Sequence, residues 1–395
     1  MRKAGRHFLQ IPGPSPVPDR ILRAIDMPVI DHRGPGFADL GHRVLGGIQG
    51  IFKTSQPVVI YPSSGTGAWE AALVNTMNQG DKLLMVETGH FAHLWQKLAL
   101  KLGLQPQLAE TDWRRGADPV LIEQLLKADK SHELKAVCVV HNETSTGCTS
   151  RIAEIRKAID AAGHPALLMV DTISGLASAE FCFDDWGVDV AISGSQKGLM
   201  LPPGLSFNAV SARALEANAK AKLPNSYWQW SEMIEANKRG YFPYTPATNL
   251  LFGLAEAIDM LNEEGLENVF SRHQRHAAAT RVAVEAWGLE VQCTVNGEHS
   301  PVLTAVRVPA GSDADQLRAT ILEHCDTSLG NGLSKVAGKV FRIGHLGDIN
   351  DVTLLGTLSG IEIGLHLAQV PHQSGGTQAA LDYLKSSRQS YARVA

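Results

Sequence analysis

Short apolar runs alternate with longer amphipathic stretches from about residue 57 onward. The apolar runs are bounded by glycine, aspartate or proline and predict buried strands at 58–61, 82–86, 136–140, 166–170 and 188–192. The stretches between them have helical spacing and predict helices at 69–77, 91–102, 119–128 and 152–162. This alternation predicts an α/β fold whose mainly parallel sheet is covered by helices on both faces.

The pattern changes near residue 262, where two strongly helical segments follow each other. Beyond them, predicted strands at 290–293, 303–307 and 340–344 mix with predicted helices at 313–324 and 353–367. Four prolines between residues 12 and 18 indicate an extended start of the chain. We therefore predict an extended N-terminal arm over 1–20, a large domain over 21–262 and a smaller C-terminal α+β domain over 263–395.

The composition of the chain argues against several classes of function. The chain has 395 residues, with 36 Lys and Arg against 40 Asp and Glu, and this balance argues against a nucleic-acid-binding surface. No apolar run approaches the roughly 18 residues of a membrane span, and the N-terminus lacks the features of a secretory signal. The five cysteines are widely spread without a C-x-x-C motif, so we expect neither disulfides nor a thiolate metal site. We expect a cytoplasmic protein.

The segment 188–206 carries the strongest chemical signal. A predicted apolar strand leads into small residues, then Lys197, and then a turn rich in glycine and proline. A lysine at a buried strand end is costly unless it is paired or neutral, and burial lowers its pKa toward the range that a Schiff base or a proton shuttle needs. The alternative is a strand-end lysine whose amine extends to solvent.

Asp171 follows another predicted strand, 26 residues before Lys197. An acid at the carboxyl end of a central parallel strand lies where α/β sheets bind ligands, although Thr172 and Ser174 also make Asp171 a candidate helix cap. Together Asp171 and Lys197 are the pair that a pyridoxal phosphate site needs. The carboxylate keeps the pyridine nitrogen protonated, and the lysine holds the aldehyde as an imine.

The segment 61–70 joins a predicted strand to a predicted helix through serine, threonine and glycine residues. Backbone amides at such a helix start, with the hydroxyls of Ser64 and Thr66, can bind a phosphate dianion. Gly65 and Gly67 are not followed by the third glycine of a dinucleotide-binding motif, which argues against a nicotinamide dehydrogenase. An ordinary capped helix start is the alternative interpretation.

With these features established, the chain resembles the class V aminotransferases of the fold-type I pyridoxal phosphate enzymes, and most of all their serine-glyoxylate and alanine-glyoxylate branch. The resemblance extends to about residue 370, and the lysine segment is its most specific part. The motifs are Ile11-Pro-Gly-Pro-Ser15, Ser64-Gly-Thr66, His141-Asn-Glu-Thr-Ser-Thr-Gly147, Val170-Asp171, Ser193-Gly-Ser-Gln-Lys-Gly198 and Phe341-Arg-Ile-Gly-His-Leu-Gly347.

The resemblance implies a fold-type I large domain with a seven-stranded sheet, and a homodimer whose active sites are shared between subunits. It implies that Lys197 forms the Schiff base and moves the substrate proton, that Asp171 pairs with the pyridinium nitrogen, and that Phe91 stacks on the ring, where relatives often have tryptophan. The other implied cofactor contacts are the phosphate ligands Ser64, Gly65, Thr66 and Gln196, then Thr144 near the phenolic oxygen, and Tyr244 with Thr245 from the neighbouring subunit.

Two arginines are candidate substrate ligands. Arg342 lies on a predicted apolar strand, so its partly buried charge calls for an anion, and the resemblance implies that it binds the substrate α-carboxylate through a bidentate fork. The alternative is an ion pair between Arg342 and a nearby acid such as Asp348. Arg33, in Asp31-His-Arg33, could place a cation near the β-substituent of an aspartate donor.

The implied reaction is a ping-pong transamination from serine, aspartate or alanine to glyoxylate, which yields glycine. Cys325 suggests a related cysteine desulfurase, but Gln196 stands where that class has a histidine, and we interpret Cys325 as a buried small hydrophobic residue. A non-catalytic pyridoxal phosphate-binding protein is the remaining alternative. We predict no metal site, because His90 with His93 lacks a zinc-like acid partner, and because His273 with His276 is expected on a polar helix face.

Overall fold

The computed structural model describes residues 4–387. Its strands are β1 (Phe8–Gln10), β2 (Val58–Tyr61), β3 (Lys82–Glu87), β4 (Gln105–Glu110), β5 (Leu134–Val140), β6 (Asn142–Glu143), β7 (Cys148–Thr149), β8 (Leu167–Asp171), β9 (Val190–Gly194), β10 (Ser206–Val210), β11 (Glu290–Val291), β12 (Leu303–Arg307), β13 (Thr327–Asn331) and β14 (Val340–Gly344). Its α-helices are α1 (Asp19–Ile25), α2 (Pro35–Phe52), α3 (Gly65–Val74), α4 (His90–Lys101), α5 (Pro119–Ala128), α6 (Ile152–Ala161), α7 (Ala212–Asn218), α8 (Trp230–Asn237), α9 (Thr248–Glu264), α10 (Leu266–Ala286), α11 (Ala314–Cys325), α12 (Asp351–Leu367) and α13 (Gly376–Ser386). One 3-10 turn covers Ser334–Val336.

The large sheet has seven strands in the order β2-β10-β9-β8-β5-β3-β4. Every neighbouring pair is parallel except the two that involve β10. Alternate residues face two separate apolar cores, with Val58 and Ile60 in one and Val59 and Tyr61 in the other. Because both faces are covered, its central strands are mostly apolar, and the predicted α/β class with a mainly parallel sheet is confirmed.

The smaller sheet has five strands in the order β1-β13-β14-β12-β11. Strand β1 is parallel to β13, and the other pairs are antiparallel. The apolar core beside this sheet includes Trp287, Phe341 and Ile361. The first strand of the chain therefore belongs to the sheet formed by its last third.

After β1 the chain runs across the end of the large sheet. The amide of Ser15 donates a hydrogen bond to the carbonyl oxygen of Gln196 at 2.9 Å. Gly13 has φ +119°, and a Cβ there would overlap the side chain of Lys197, so glycine is required for both reasons. The proposed limits of the arm at 20 and of the large domain at 262 stay predictions. Position 262 falls in the last turn of α9.

The prediction that His273 and His276 lie on a polar helix face is wrong. Both residues belong to α10 and are fully buried. A ring nitrogen of His273 lies 2.9 Å from the carbonyl oxygen of Ser178, and one of His276 lies 2.9 Å from a carboxylate oxygen of Asp351. At least one nitrogen of each ring is thus paired where α10 packs against neighbouring segments. No helix between residues 4 and 387 is long and apolar enough to cross a membrane.

Candidate active site

A cavity of about 120 Å³ lies at the carboxyl ends of the central parallel strands. This edge is where open α/β sheets bind ligands. Eight of the predicted site residues line the cavity, namely Ser64, Gly65, Thr66, Phe91, Thr144, Asp171, Gln196 and Lys197. The other lining residues are Trp69, Val140, Asn142 and Ile173. A larger cavity of about 460 Å³ between β1, α1 and the segment 344–353 contains none of the predicted site residues, so we place the site in the smaller one.

Lys197 follows β9 by three residues, and its side chain is buried, with 8% of the residue exposed. Its Nζ donates a hydrogen bond to the carbonyl oxygen of Pro12 at 2.8 Å. Burial and the positive charge of Arg342 lower the pKa of Lys197 to about 8, and the negative charge of Asp171 opposes this shift. The amine is therefore partly neutral near pH 8, as Schiff-base formation and proton transfer require.

Asp171 is the last residue of β8 and is buried. Its Oδ2 accepts a hydrogen bond from the indole Nε1 of Trp69 at 3.0 Å, and its Oδ1 accepts one from the amide of Ile173 at 2.7 Å. Burial raises the pKa of Asp171 to about 7, although both hydrogen bonds favour the ionised form. The residues that follow form turns rather than a helix, so Asp171 is not a helix cap.

The opposite end of the cavity is the start of α3. Ser64 is the residue before the helix, and no side chain caps its first amides. A Cβ at Gly65 would overlap the end of the Ile173 side chain, so a larger residue there would require Ile173 to move. The Oε1 of Gln196 is buried without a hydrogen-bond partner within residues 4–387. Uncapped backbone amides at a helix start suit a phosphate dianion, whereas the unpaired Gln196 oxygen is an acceptor and needs a donor. The residues at the start of α3 and Asp171 therefore fit pyridoxal phosphate with its ring toward Asp171.

Phe91 and Thr144 lie on the walls between these two ends. Phe91 is the second residue of α4 and is half-buried. The hydroxyl of Thr144 lies 2.9 Å from the Oγ of Ser174, which also accepts a hydrogen bond from the side chain of Asn142 at 2.8 Å. Both residues therefore line the same cavity as Lys197 and Asp171, and their contacts with the cofactor stay predictions.

Arg342 lies in β14, adjacent to this wall, and is buried. Its Nη1 donates to the carbonyl oxygen of Thr144 at 2.8 Å, and its Nε donates to that of Asn331 at 2.7 Å. Burial lowers its pKa to about 10, so the guanidinium stays charged at neutral pH. Among the described residues it forms no ion pair, and the alternative pairing with Asp348 is absent. A buried cation held only by carbonyl groups can bind an incoming anion.

The sequence pattern of the family described as Aminotransferase class-V matches residues 43–327, which is most of the chain. The chain belongs to the class V aminotransferases.

Relatives that match the chain over nearly its full length are also aminotransferases. The chain is 47% identical to the serine–glyoxylate aminotransferase of Methylorubrum extorquens, with 98% of each chain covered. It is 44% identical to the L-aspartate–glyoxylate aminotransferase of Paracoccus denitrificans, with 95% of this chain and 96% of the relative covered. The solved structure of the pyridoxamine–pyruvate aminotransferase from Mesorhizobium loti superposes with a TM-score of 0.91 at 28% identity, with 98% of each chain covered.

Besides Arg342, three predicted site residues of this aminotransferase lie outside the cavity lining. Tyr244 is half-buried and stacks on Tyr227 with ring centroids 4.4 Å apart, whereas Thr245 and Arg33 are exposed. The segment with Arg33 lies beside the segment with Tyr244, because the hydroxyl of Tyr241 donates to the carbonyl oxygen of Gly34 at 3.4 Å. One subunit therefore does not bring these three residues to its own cavity.

The sequence does not predict Trp69 as a site residue, yet Trp69 lines the cavity and donates a hydrogen bond to Asp171. It lies four residues after Gly65 in α3, so it shares a helix face with the candidate phosphate ligands. Its ring also stacks on Trp95 at a centroid distance of 6.1 Å. The i, i+4 spacing from Gly65 is the sequence signal that could have identified it.

Proposed function

We propose that this class V aminotransferase uses pyridoxal 5'-phosphate to transfer the amino group of a small L-amino acid to glyoxylate, giving glycine and a 2-oxo acid. The observation that carries the proposal is the placement of Lys197 and Asp171, two buried groups that line one cavity at the start of α3. Glyoxylate as acceptor is supported by the names of the two relatives described above, which both include it.

The roles of the residues follow from their positions. When bound, the cofactor supplies an aldehyde for the amino group and a ring that withdraws electrons from the substrate Cα. Asp171 stabilises a proton on the ring nitrogen, and the start of α3 with Ser64, Thr66 and Gln196 holds the phosphate. Lys197 takes the proton from the substrate Cα, because a partly neutral amine is an effective base near its own pKa.

Arg342 is proposed to bind the substrate α-carboxylate, because it is the buried cation next to the cavity wall and lacks a carboxylate partner within residues 4–387. A bidentate bond to a carboxylate orients the substrate, since both guanidinium donors and both oxygens are fixed in one plane. Phe91 covers one side of the cavity and limits the access of water to the reacting atoms.

The amino donor is proposed to be serine or aspartate, with alanine as a third candidate. One of the two relatives carries serine in its name and the other aspartate, so overall similarity does not separate these donors. Arg33 is the candidate that distinguishes them, because a cation favours a dicarboxylate donor.

We also propose a homodimer in which each subunit completes its neighbour's site. Tyr244, Thr245 and Arg33 lie on one side of the molecule but outside its own cavity, as residues supplied to a second copy would. Arg33 would then act on the donor bound in the neighbouring subunit.

The alternatives are less well supported. A cysteine desulfurase needs a cysteine that reaches the cavity, but Cys325 ends α11 and is absent from the lining. The sequence predicts that Cys325 is a buried residue, but it is only half-buried, because the end of its helix is partly exposed. A non-catalytic binding protein would not need a lysine with a lowered pKa beside Asp171.

The test uses the purified protein with added pyridoxal 5'-phosphate. We expect a yellow complex that borohydride reduces onto Lys197, identified by peptide mass mapping. Single-turnover bleaching with serine, aspartate and alanine then ranks the donors, and glyoxylate restores the colour with the formation of glycine. Labelling of another lysine would contradict the site. Colour that no amino acid bleaches would indicate the non-catalytic alternative.

A further inference from the structure

Glu143 is a buried carboxyl group for which the proposed reaction has no direct use. It belongs to β6, directly before Thr144, and is fully inaccessible to solvent. Its Oε1 accepts hydrogen bonds from the amide and the hydroxyl of Ser145 at 3.0 and 2.6 Å. A buried acid away from the cavity lining requires a reason, because burial of a carboxylate costs free energy unless other groups stabilise it.

The first reason is the start of α4. The amides of Phe91 and Ala92 donate to the two carboxylate oxygens of Glu143 at 3.4 and 3.2 Å, and the amide of His90 donates to the Oγ of Ser145 at 2.9 Å. The residue before the helix is Gly89, where a Cβ would overlap both Glu143 and Ser145. The segment 143–145 therefore replaces the usual capping side chain. Burial raises the pKa of Glu143, whereas these hydrogen bonds and the positive end of the helix favour its ionised form.

The second reason is Arg342. Its Nη1 is bonded to the carbonyl oxygen of Thr144, the residue that follows Glu143. Among nearby charges, Glu143 is the one that raises the pKa of Arg342 and so favours its charged form. One short segment thus contacts both the helix turn that holds the proposed ring-stacking residue and the proposed carboxylate ligand.

We propose that Glu143 is a positioning residue that fixes Phe91 against the cofactor ring and balances the charge of Arg342 until a substrate carboxylate arrives. The proposal rests on the function proposed above. It separates two effects: the hydrogen bonds of the carboxylate orient Phe91, whereas its charge weakens the affinity of Arg342 for anions.

Two substitutions separate these effects. Glu143→Gln removes the charge and places an amide group against backbone donors, so we expect the Kd for pyridoxal 5'-phosphate to rise about tenfold. In the loaded protein we expect the Kd for propionate, a carboxylate without an amino group, to fall at least about threefold. Glu143→Asp keeps the charge but shortens the side chain by one methylene group. It should weaken the cofactor similarly and leave propionate binding unchanged.

The readouts are equilibrium titrations of cofactor and propionate and the circular dichroism of the bound cofactor, which reports the orientation of its ring. Glu298→Gln is the matched control, because Glu298 is also buried and accepts an amide hydrogen bond, from Gly116 at 2.8 Å, but its side-chain partners, Gly116 and Arg151, belong to neither α4 nor β14. It should alter neither binding constant. If Glu143→Gln does not fold, Ser145→Ala tests the same helix start, with an expected rise of about threefold in the cofactor Kd.

Unchanged cofactor binding in these Glu143 and Ser145 variants would overturn the positioning role, and unchanged propionate binding in Glu143→Gln would overturn the charge balance. None of these measurements needs turnover. A wild-type protein that binds the cofactor but does not transaminate would refute the proposed function and leave the comparison of variants valid. A wild-type protein that does not bind the cofactor would refute both.

Discussion

Burial brings two side chains with very different acidities into the same pH range. The pKa of Lys197 falls from its ordinary value of 10.5 to about 8, while that of Asp171 rises from 3.8 to about 7. Both shifts have the same main cause, because removal from water penalises the charged form of each group. Both groups can therefore gain or lose a proton near neutral pH, because the ends of β8 and β9 place them in the interior of the protein.

Lys197→Ala is expected to lower kcat by about 10³-fold or more, because it removes the proposed base and the attachment point of the cofactor. The fold should persist, since the side chain faces a cavity. Steady-state kinetics and far-ultraviolet circular dichroism test this. Lys238→Ala, at an exposed lysine of α8's C-terminal end, is the control and should keep full activity. Retained turnover in Lys197→Ala would contradict the assignment.

The stability of the cofactor-free protein should depend on Lys197 above pH 8. Between about pH 8 and 10.5 the unfolded state binds more protons at this lysine than the folded state, so the free energy of unfolding should rise with pH there. The rise is at most about 3 kcal/mol. Urea denaturation at several pH values, compared between the wild type and Lys197→Met, measures it. The same slope in both proteins would exclude Lys197 as the source.

Arg33→Ala should distinguish the proposed donors. If the guanidinium contacts the β-carboxylate of aspartate, kcat/KM for aspartate should fall about tenfold or more, while that for serine should stay within about twofold. Arg33→Lys keeps the charge and should retain part of the aspartate activity. Equal losses with both donors would remove Arg33 from the substrate site.

At the scale of single residues, the sequence identifies which side chains can react more readily than which side chains contact each other. Lys197 and Asp171 are identifiable because an isolated charge at the end of an apolar strand is conspicuous. The hydrogen bond from Trp69 to Asp171 is not identifiable in this way, because it joins α3 to β8 and depends on how the helix rotates over the sheet.

At the scale of elements, apolar periodicity gives the correct bounds where one pattern acts alone. Strand β2 and helix α5 have the predicted limits, and α5 also begins with an Asp118 cap followed by Pro119. Helix α2 is missed because its five glycines suggest a loop. Two of them pack closely instead: a Cβ at Gly41 would overlap the carbonyl group of Gly240, and one at Gly47 would overlap Ile258.

Strand β10 is missed for another reason. It contains Ser206 and Asn208, so it lacks a continuous apolar run, although every residue in it is buried. The side chain of Asn208 donates to the carbonyl oxygen of Ala68 at 3.1 Å, which satisfies its polarity inside the protein. Such long-range compensation cannot be recognised from neighbouring residues in the chain.

The start of α3 should be a phosphate site in its own right. Ser64→Ala and Thr66→Ala should each raise the Kd for pyridoxal 5'-phosphate about fivefold, because each removes one donor to the dianion. Inorganic phosphate should compete with the cofactor in the wild type and less well in both variants. Asp118→Ala is the control, since it removes the cap of α5 and should cost about 1 kcal/mol of stability. Its cofactor affinity should be unchanged.

At the scale of the whole molecule, hybrid dimers test whether sites are shared. Lys197→Ala and Tyr244→Ala should each be nearly inactive when pure. Mixed in equal amounts and allowed to exchange subunits, they should recover about one quarter of wild-type activity, because half of the dimers then contain one intact site. No recovery, despite hybrids detected by mass spectrometry, would show that Tyr244 acts within its own subunit.

The pairing of β1 with β13 affects how the protein is made. Phe8 lies opposite Thr327, so the strand that leads into the carbonyl acceptor of Lys197 finds its sheet partner only after about four fifths of the chain has left the ribosome. We therefore expect the reactive amine to stay accessible to aldehydes in its surroundings until β1 has paired with β13.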